Sequence, residues 1–132
     1  MNLPEPPLLV ITDRSQARRP LEDVAAAVFA AGCRWLSLRE KDLGAAERLD
    51  LLRRLIDVAR PYRAVVGVHE DADAAADTGC GAVHLPDGAF ITAARARLGA
   101  RALIGISAHD MAGLDAAAEG GADYATFAPV FA

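Results

Sequence analysis

The chain has 132 residues, 53% of them apolar and 24% charged, which is the mix of a soluble globular protein and enough for one domain, residues 1–132, with one sizeable core. The net charge of −4 and the lack of any basic stripe argue against a nucleic-acid partner, while a small anion needs only local positive charge. No run approaches the ~18 apolar residues of a membrane span and the first ten residues lack a basic signal-peptide start, so no membrane partner is expected and the cytoplasm is the expected compartment.

Short apolar runs alternate with longer amphipathic ones. Leu8–Ile11 is all apolar and reads as a strand buried on both faces. Leu21–Ala31 carries Leu21, Val24, Ala25, Val28 and Phe29 at helical spacing, with Gly32 as its C-cap. Arg34–Leu38 is a second strand. Ala45–Arg60 is the clearest helix, apolar along Leu49, Leu52, Leu55, Ile56 and Ala59 and stopped by Pro61. Ala64–Val68 is a third strand, followed by a short helix from Ala72 that ends near Gly79. Gly81–His84 is a fourth strand. Thr92–Leu98 is a helix with Thr92 as candidate N-cap. A fifth strand over Ala102–Ile106, a helix from Asp110 or Met111 to Glu119 and a sixth strand over Ala122–Phe127 complete the pattern. Cys33 and Cys80 lack metal-ligand spacing and read as buried free thiols.

Five βα units and a sixth strand imply parallel strands joined by helical crossovers, either in a doubly wound sheet or in a TIM (β/α)8-type barrel. No Gly-x-Gly-x-x-Gly follows the first strand, which weakens a dinucleotide-binding version. In either architecture the ligand sits at the C-terminal ends of the strands. Those ends carry Thr12, Asp13 and Arg14; Arg39, Glu40 and Lys41; His69 and Glu70; His84; Ser107 and His109; and Pro129.

Each has a plain structural alternative. Arg39 and Lys41 fit a solvated charge run with Glu40 and Asp42. They also alternate along an extended segment, which sends both to one side, where two cations can clamp a phosphate or pyrophosphate. His84 fits a hydrogen-bonded core residue as well as a functional one. His69 with Glu70 suits a divalent cation but is too small a set to specify one. Ser107 and His109 fit turn and cap positions, and Asp13 beside Arg14 reads as a local ion pair.

Taken in order, Leu9–Arg14 (LVITDR), Leu38–Leu43 (LREKDL), Gly81–Leu85 (GAVHL), Ile104–His109 (IGISAH) and Gly121–Tyr124 (GADY), followed by Pro129–Phe131 (PVF), resemble the serial motifs of the thiamine phosphate synthase family and its close relative, the thiazole tautomerase. The resemblance runs from Leu8 to Phe131. It implies a triose-isomerase-type barrel that joins a hydroxymethylpyrimidine diphosphate to a thiazole phosphate, releases pyrophosphate and uses Mg²⁺. Small phosphorylated pyrimidine and thiazole ligands are then the expected partners, and a homo-oligomer is compatible with the sequence. By this resemblance Arg39 and Lys41 match the pyrophosphate-binding cations and Ser107 a serine on the same group. Thr12, Ser37, His69, His84, His109 and Pro129 fall at substrate-binding positions of the rim.

The chain also departs from the family pattern. Ser37 stands where the synthase usually has Gln, and His69-Glu70 where it usually has Asn-Asp. Glu70 still offers Mg²⁺ a carboxylate, but Ala89 stands in place of a second metal-binding Asp. The segment His84–Phe90 looks more like the tautomerase branch, whose candidate catalytic His would fall at Pro129. The sequence also stops just past the sixth strand, before the phosphate-binding loop and glycine-rich cradle of the family, so a truncated chain with weak or no turnover is expected. Three functions remain open: a synthase-like transferase, a tautomerase-like isomerase that moves a proton without metal, and a non-catalytic phosphate-binding remnant. Another phosphate-handling barrel is the generic alternative.

Overall fold

A computed structural model describes residues 3–130. Six parallel strands form one sheet in the order β1 to β6: Val10–Ile11, Trp35–Leu38, Val65–His69, Ala82–Leu85, Leu103–Ala108 and Tyr124–Phe127. Five helices cross between them, α1 Leu21–Ala30, α2 Ala45–Ala59, α3 Ala72–Thr78, α4 Ile91–Leu98 and α5 Met111–Gly120. Consecutive strands are neighbours throughout, so the sheet curls as a half-barrel with β1 and β6 at its edges. Phe131, the last residue of the closing motif, lies outside the described residues.

Strand alternation separates two apolar layers. Leu36, Leu38, Val66, Val68, Val83, Leu85, Ile104 and Ile106 face the helices and form one core with Phe29, Leu52 and Leu55. Trp35, Ala82 and Leu103 belong to a smaller cluster on the concave side, with Leu9, Val65 and Tyr124 packed against it. Both layers are needed, because a strand of a parallel sheet is covered on both faces.

The sequence boundaries shift for local reasons. The first strand shortens to two residues, because it is an edge that pairs only through Val10 with Leu36 and Ile11 with Ser37, and Leu8 is exposed. Pro61 follows the α2 helix in a short 3₁₀ turn, Arg60–Tyr62, at a position where its missing N–H costs nothing. Thr92 is not an N-cap: α4 starts one residue earlier at Ile91, after Phe90, with no side-chain cap. Asp110 does cap α5, accepting from the Gly113 N–H at 2.7 Å. β5 runs on to Ala108 because Ser107 and Ala108 find partners in Thr126 and Phe127. β6 starts late, because the Asp123 carboxylate takes up the Ile104 N–H and the Arg95 guanidinium, both at 2.8 Å. Cys33 and Cys80 are buried free thiols.

Two glycines make the concave face possible. A Cβ on Gly67 would lie 2.7 Å from the Ala82 Cβ and 2.8 Å from its carbonyl oxygen. A Cβ on Gly105 would enter the Tyr124 ring. Backbone atoms cannot yield as a flexible side-chain tip does, so Gly67→Ala is expected to lower stability by about 1–3 kcal/mol; urea unfolding measures it, and an unchanged midpoint would contradict this packing.

Candidate functional site

The exits of β1 and β2 are tied together by one buried carboxylate. Glu40 is 4% exposed, and its Oε2 accepts from the Thr12 hydroxyl at 2.7 Å. Its Oε1 accepts from the Arg14 N–H at 3.1 Å and from Arg14 Nη1 at 2.9 Å. Thr12 in turn accepts from the Arg39 N–H at 2.9 Å. With residue 40 turned inward, Arg39 falls on the opposite side of the chain, and a turn closed by the Leu43 N–H on the Glu40 carbonyl at 3.2 Å carries Lys41; both cations are exposed. They line an open cleft of about 530 Å³ with Asp13, Arg14, Ser15, Glu40 and Asp42.

The expected Asp13–Arg14 ion pair does not form. Arg14 reaches across to Glu40 and grips Asp42 with a two-pronged contact, Nη1 to Oδ1 and Nη2 to Oδ2, both 2.7 Å. That grip holds the Asp42 carboxyl below its ordinary range. Asp13 instead closes its own turn on Ser15 and Gln16, and chiefly the Ser15 bond lowers its pKa. Lys41 is engaged as well, its Nζ 3.0 Å from Glu70 Oε2. Glu70 occupies left-handed backbone at φ 60°, held by its N–H donating to the His84 carbonyl at 2.7 Å.

Behind this rim the concave face carries a polar file. Ser37 Oγ and His69 Nδ1 are 2.7 Å apart. The His69 and His84 rings stack with centroids 4.5 Å apart. His84 Nδ1 meets the Tyr124 hydroxyl and Nε2 meets Ser107 Oγ, each at 2.9 Å. His69 is pushed down to about 3, first by burial and then by the nearby positive groups of His84, Arg39 and Lys41. Burial lowers His84 too, so both rings are neutral at neutral pH. The remaining residues of the expected set lie at the outer rim. His109 Nδ1 is 2.7 Å from the Ala128 carbonyl oxygen, and Pro129 is exposed just beyond it.

Sequence reasoning therefore names most of this assembly, but it reads Glu40 only as a strand-end charge and gives Tyr124 no role. Glu40 hides in a run of four charges, and the donors that bury it, Thr12 and Arg14, come from the neighbouring strand exit. Tyr124 reads as a strand aromatic, and its partner lies 40 residues away.

The donors do not fit a resident divalent ion. Glu70 is neutralised by Lys41, Ala89 supplies no oxygen, and no group of three metal-ligating side chains occurs among the described residues. No helix among the described residues is long and apolar enough to cross a membrane.

Comparison with known proteins gives one consistent answer. A family model described as thiamine monophosphate synthase matches residues 8–132. The thiamine-phosphate synthase of Chromobacterium violaceum is 41% identical over 110 residues, covering 82% of this chain and 53% of that protein. The thiamine-phosphate synthase of Arthrobacter sp. (strain FB24) is 35% identical over 131 residues, covering 95% and 55%. Among solved structures, the thiamine phosphate pyrophosphorylase from Pyrococcus furiosus superposes with a TM-score of 0.82 at 25% identity, over 93% of this chain and 60% of that one. The chain thus spans little more than half the length of these curated relatives.

Two outcomes follow from the geometry. Glu40→Ala strips the Thr12 hydroxyl and the Arg14 N–H of a buried acceptor and should cost about 3 kcal/mol by urea unfolding; a loss below about 1 kcal/mol would contradict the anchoring role. For His69, the unfolded ring, near its ordinary 6.5, takes up a proton before the folded one does, whose pKa is about 3. Its contribution to stability is therefore whole above pH 6.5 and is lost as pH falls toward 3. Melting curves across that window should fall less steeply for His69→Gln than for the wild type, and parallel profiles would contradict the assignment.

Proposed function

Since this chain belongs to the thiamine monophosphate synthase family, we propose that its strand-end rim serves the synthase reaction, with Arg39 and Lys41 holding the diphosphate of the pyrimidine substrate. The observation that carries this reading is the outward placement of two cations on one side of the β2 exit, over an open cleft, by a buried Glu40. The ligands are small phosphorylated pyrimidines and thiazoles. The cytoplasm is the proposed compartment, since multiply charged phosphates do not enter a bilayer unaided.

In the proposed reaction the bond between the pyrimidine's exocyclic carbon and the diphosphate oxygen breaks, and its electron pair leaves with pyrophosphate. The thiazole nitrogen then donates its lone pair to that carbon and forms the new C–N bond. Negative charge grows on the leaving oxygens as the bond breaks, so preorganised cations lower the barrier by meeting charge that develops. Arg39 offers a planar fork and Lys41 a compact charge, two complementary ways of holding phosphate oxygens. For Lys41 to act, the incoming diphosphate must displace Glu70 from its ammonium group. No step is routed through Mg²⁺, because the donor set on this face does not fit it. The isomerase reading keeps the likeness of the His84–Phe90 segment but lacks its candidate catalytic residue, since Pro129 stands where that branch carries its His.

Titration calorimetry with pyrophosphate tests the reading. The wild type should bind, and the Arg39→Ala/Lys41→Ala double variant should lose at least about 30-fold in affinity, or roughly 2 kcal/mol. Glu70→Gln, which frees Lys41, should bind a few-fold more tightly. Equal affinity of the double variant and the wild type would refute the site.

A further inference from the structure

His84 has both ring nitrogens engaged, Nδ1 with the Tyr124 hydroxyl and Nε2 with Ser107 Oγ, each at 2.9 Å. A neutral imidazole has one N–H and one lone pair, so the two bonds must run in a single direction. In one order Tyr124 donates to Nδ1, Nε2–H donates to Ser107, and the serine hydrogen is left to donate onward. In the other, Ser107 donates to Nε2, Nδ1–H donates to Tyr124, and the phenolic hydrogen must find an acceptor.

Three observations select the first order. A phenol is a far stronger acid than an aliphatic alcohol and is the better donor to a ring lone pair. Tyr124 also lies deeper in the half-barrel. It is level with Gly105, whereas Ser107 stands two residues nearer the rim, level with Thr126. The Tyr124 ring packs edge-on against Trp35 at 5.0 Å and over the space left by Gly105. Among the described residues its hydroxyl has no hydrogen-bond partner other than His84. The second order would leave the phenolic hydrogen of the half-buried Tyr124 with no acceptor among the described residues, and an unmade bond there is costly. The first leaves its unused hydrogen on a half-buried serine at the rim, where a ligand can meet it.

We propose that Tyr124 is a positioning residue: it fixes His84 as the Nε2–H tautomer, and His84 thereby turns the Ser107 hydroxyl hydrogen outward as a donor to the diphosphate. The ligand in this statement rests on the function proposed above, whereas the order of the hydrogen bonds does not. No proton is transferred. The file sets orientation, converting a hydroxyl that could donate or accept into one committed to an anion.

Nitrogen-15 NMR of the histidines in the full chain reads the tautomer directly, without ligand. The wild type should show His84 with a protonated Nε2 and a bare Nδ1. Tyr124→Phe keeps the ring but removes the donor, so His84 should become a mixture of tautomers and pyrophosphate affinity should fall about 5-fold. Ser107→Ala should keep the Nε2–H form while losing affinity by a similar factor. A wild-type Nδ1–H tautomer, or a tautomer that follows Ser107 rather than Tyr124, would overturn the proposal. If Tyr124→Phe does not fold, the wild-type tautomer and Ser107→Ala decide it. If the tautomers behave as stated but the wild type binds no pyrophosphate, the hydrogen-bond order holds, while the anion site and the donor role of Ser107 are overturned.

Discussion

A single buried carboxylate sets the shape of the rim. Glu40 draws the Thr12 hydroxyl, the Arg14 N–H and the Arg14 guanidinium onto itself, and so joins the exits of the first two strands. Burying a charge is expensive unless its lone pairs are filled, and here hydrogen-bond donors reach both oxygens. The consequence appears one residue to either side. With position 40 committed inward and Lys41 carried by the turn that follows it, Arg39 and Lys41 both line the cleft. The exposed Arg14–Asp42 grip adds little energy, as exposed pairs do, but it steadies the same loop.

The concave face obeys a second constraint. Half of each strand's side chains point inward, and near the rim those positions hold Ser37, His69, His84 and Ser107 rather than hydrocarbon. Every buried side-chain nitrogen and oxygen among the described residues finds a partner. The stacked imidazoles stay uncharged because burial disfavours protonation of both, and at His69 the nearby Arg39 and Lys41 disfavour it further. An uncharged file suits the proposed site, in which the field on an anion would come from Arg39 and Lys41 and the file behind them would supply direction.

Much of this architecture is legible from residue spacing. Alternation of short apolar runs with amphipathic ones was enough for parallel strands with helical crossovers. What escaped was always tertiary. The first strand looked four residues long, but an edge has one partner, and only two residues meet it. Thr92 had the chemistry of a cap, yet the chain turns one residue earlier. Asp13 and Arg14 are neighbours in sequence and looked like an ion pair, but Arg14 found two carboxylates brought to it from the next strand exit. Tyr124 gained its role from His84, which no local pattern reveals. Family motifs placed Arg39, Lys41 and Ser107 at the rim, but only the fold shows that Lys41 is already held by Glu70.

The central claim is that the β2 exit presents its two cations to a diphosphate. A crystal structure of the chain soaked with pyrophosphate tests this most directly. The account predicts the anion seated between Arg39 and Lys41, with Glu70 released from the lysine and Glu40 unmoved beneath them. Both cations extended into bulk solvent, with pyrophosphate bound elsewhere on the molecule, would contradict it.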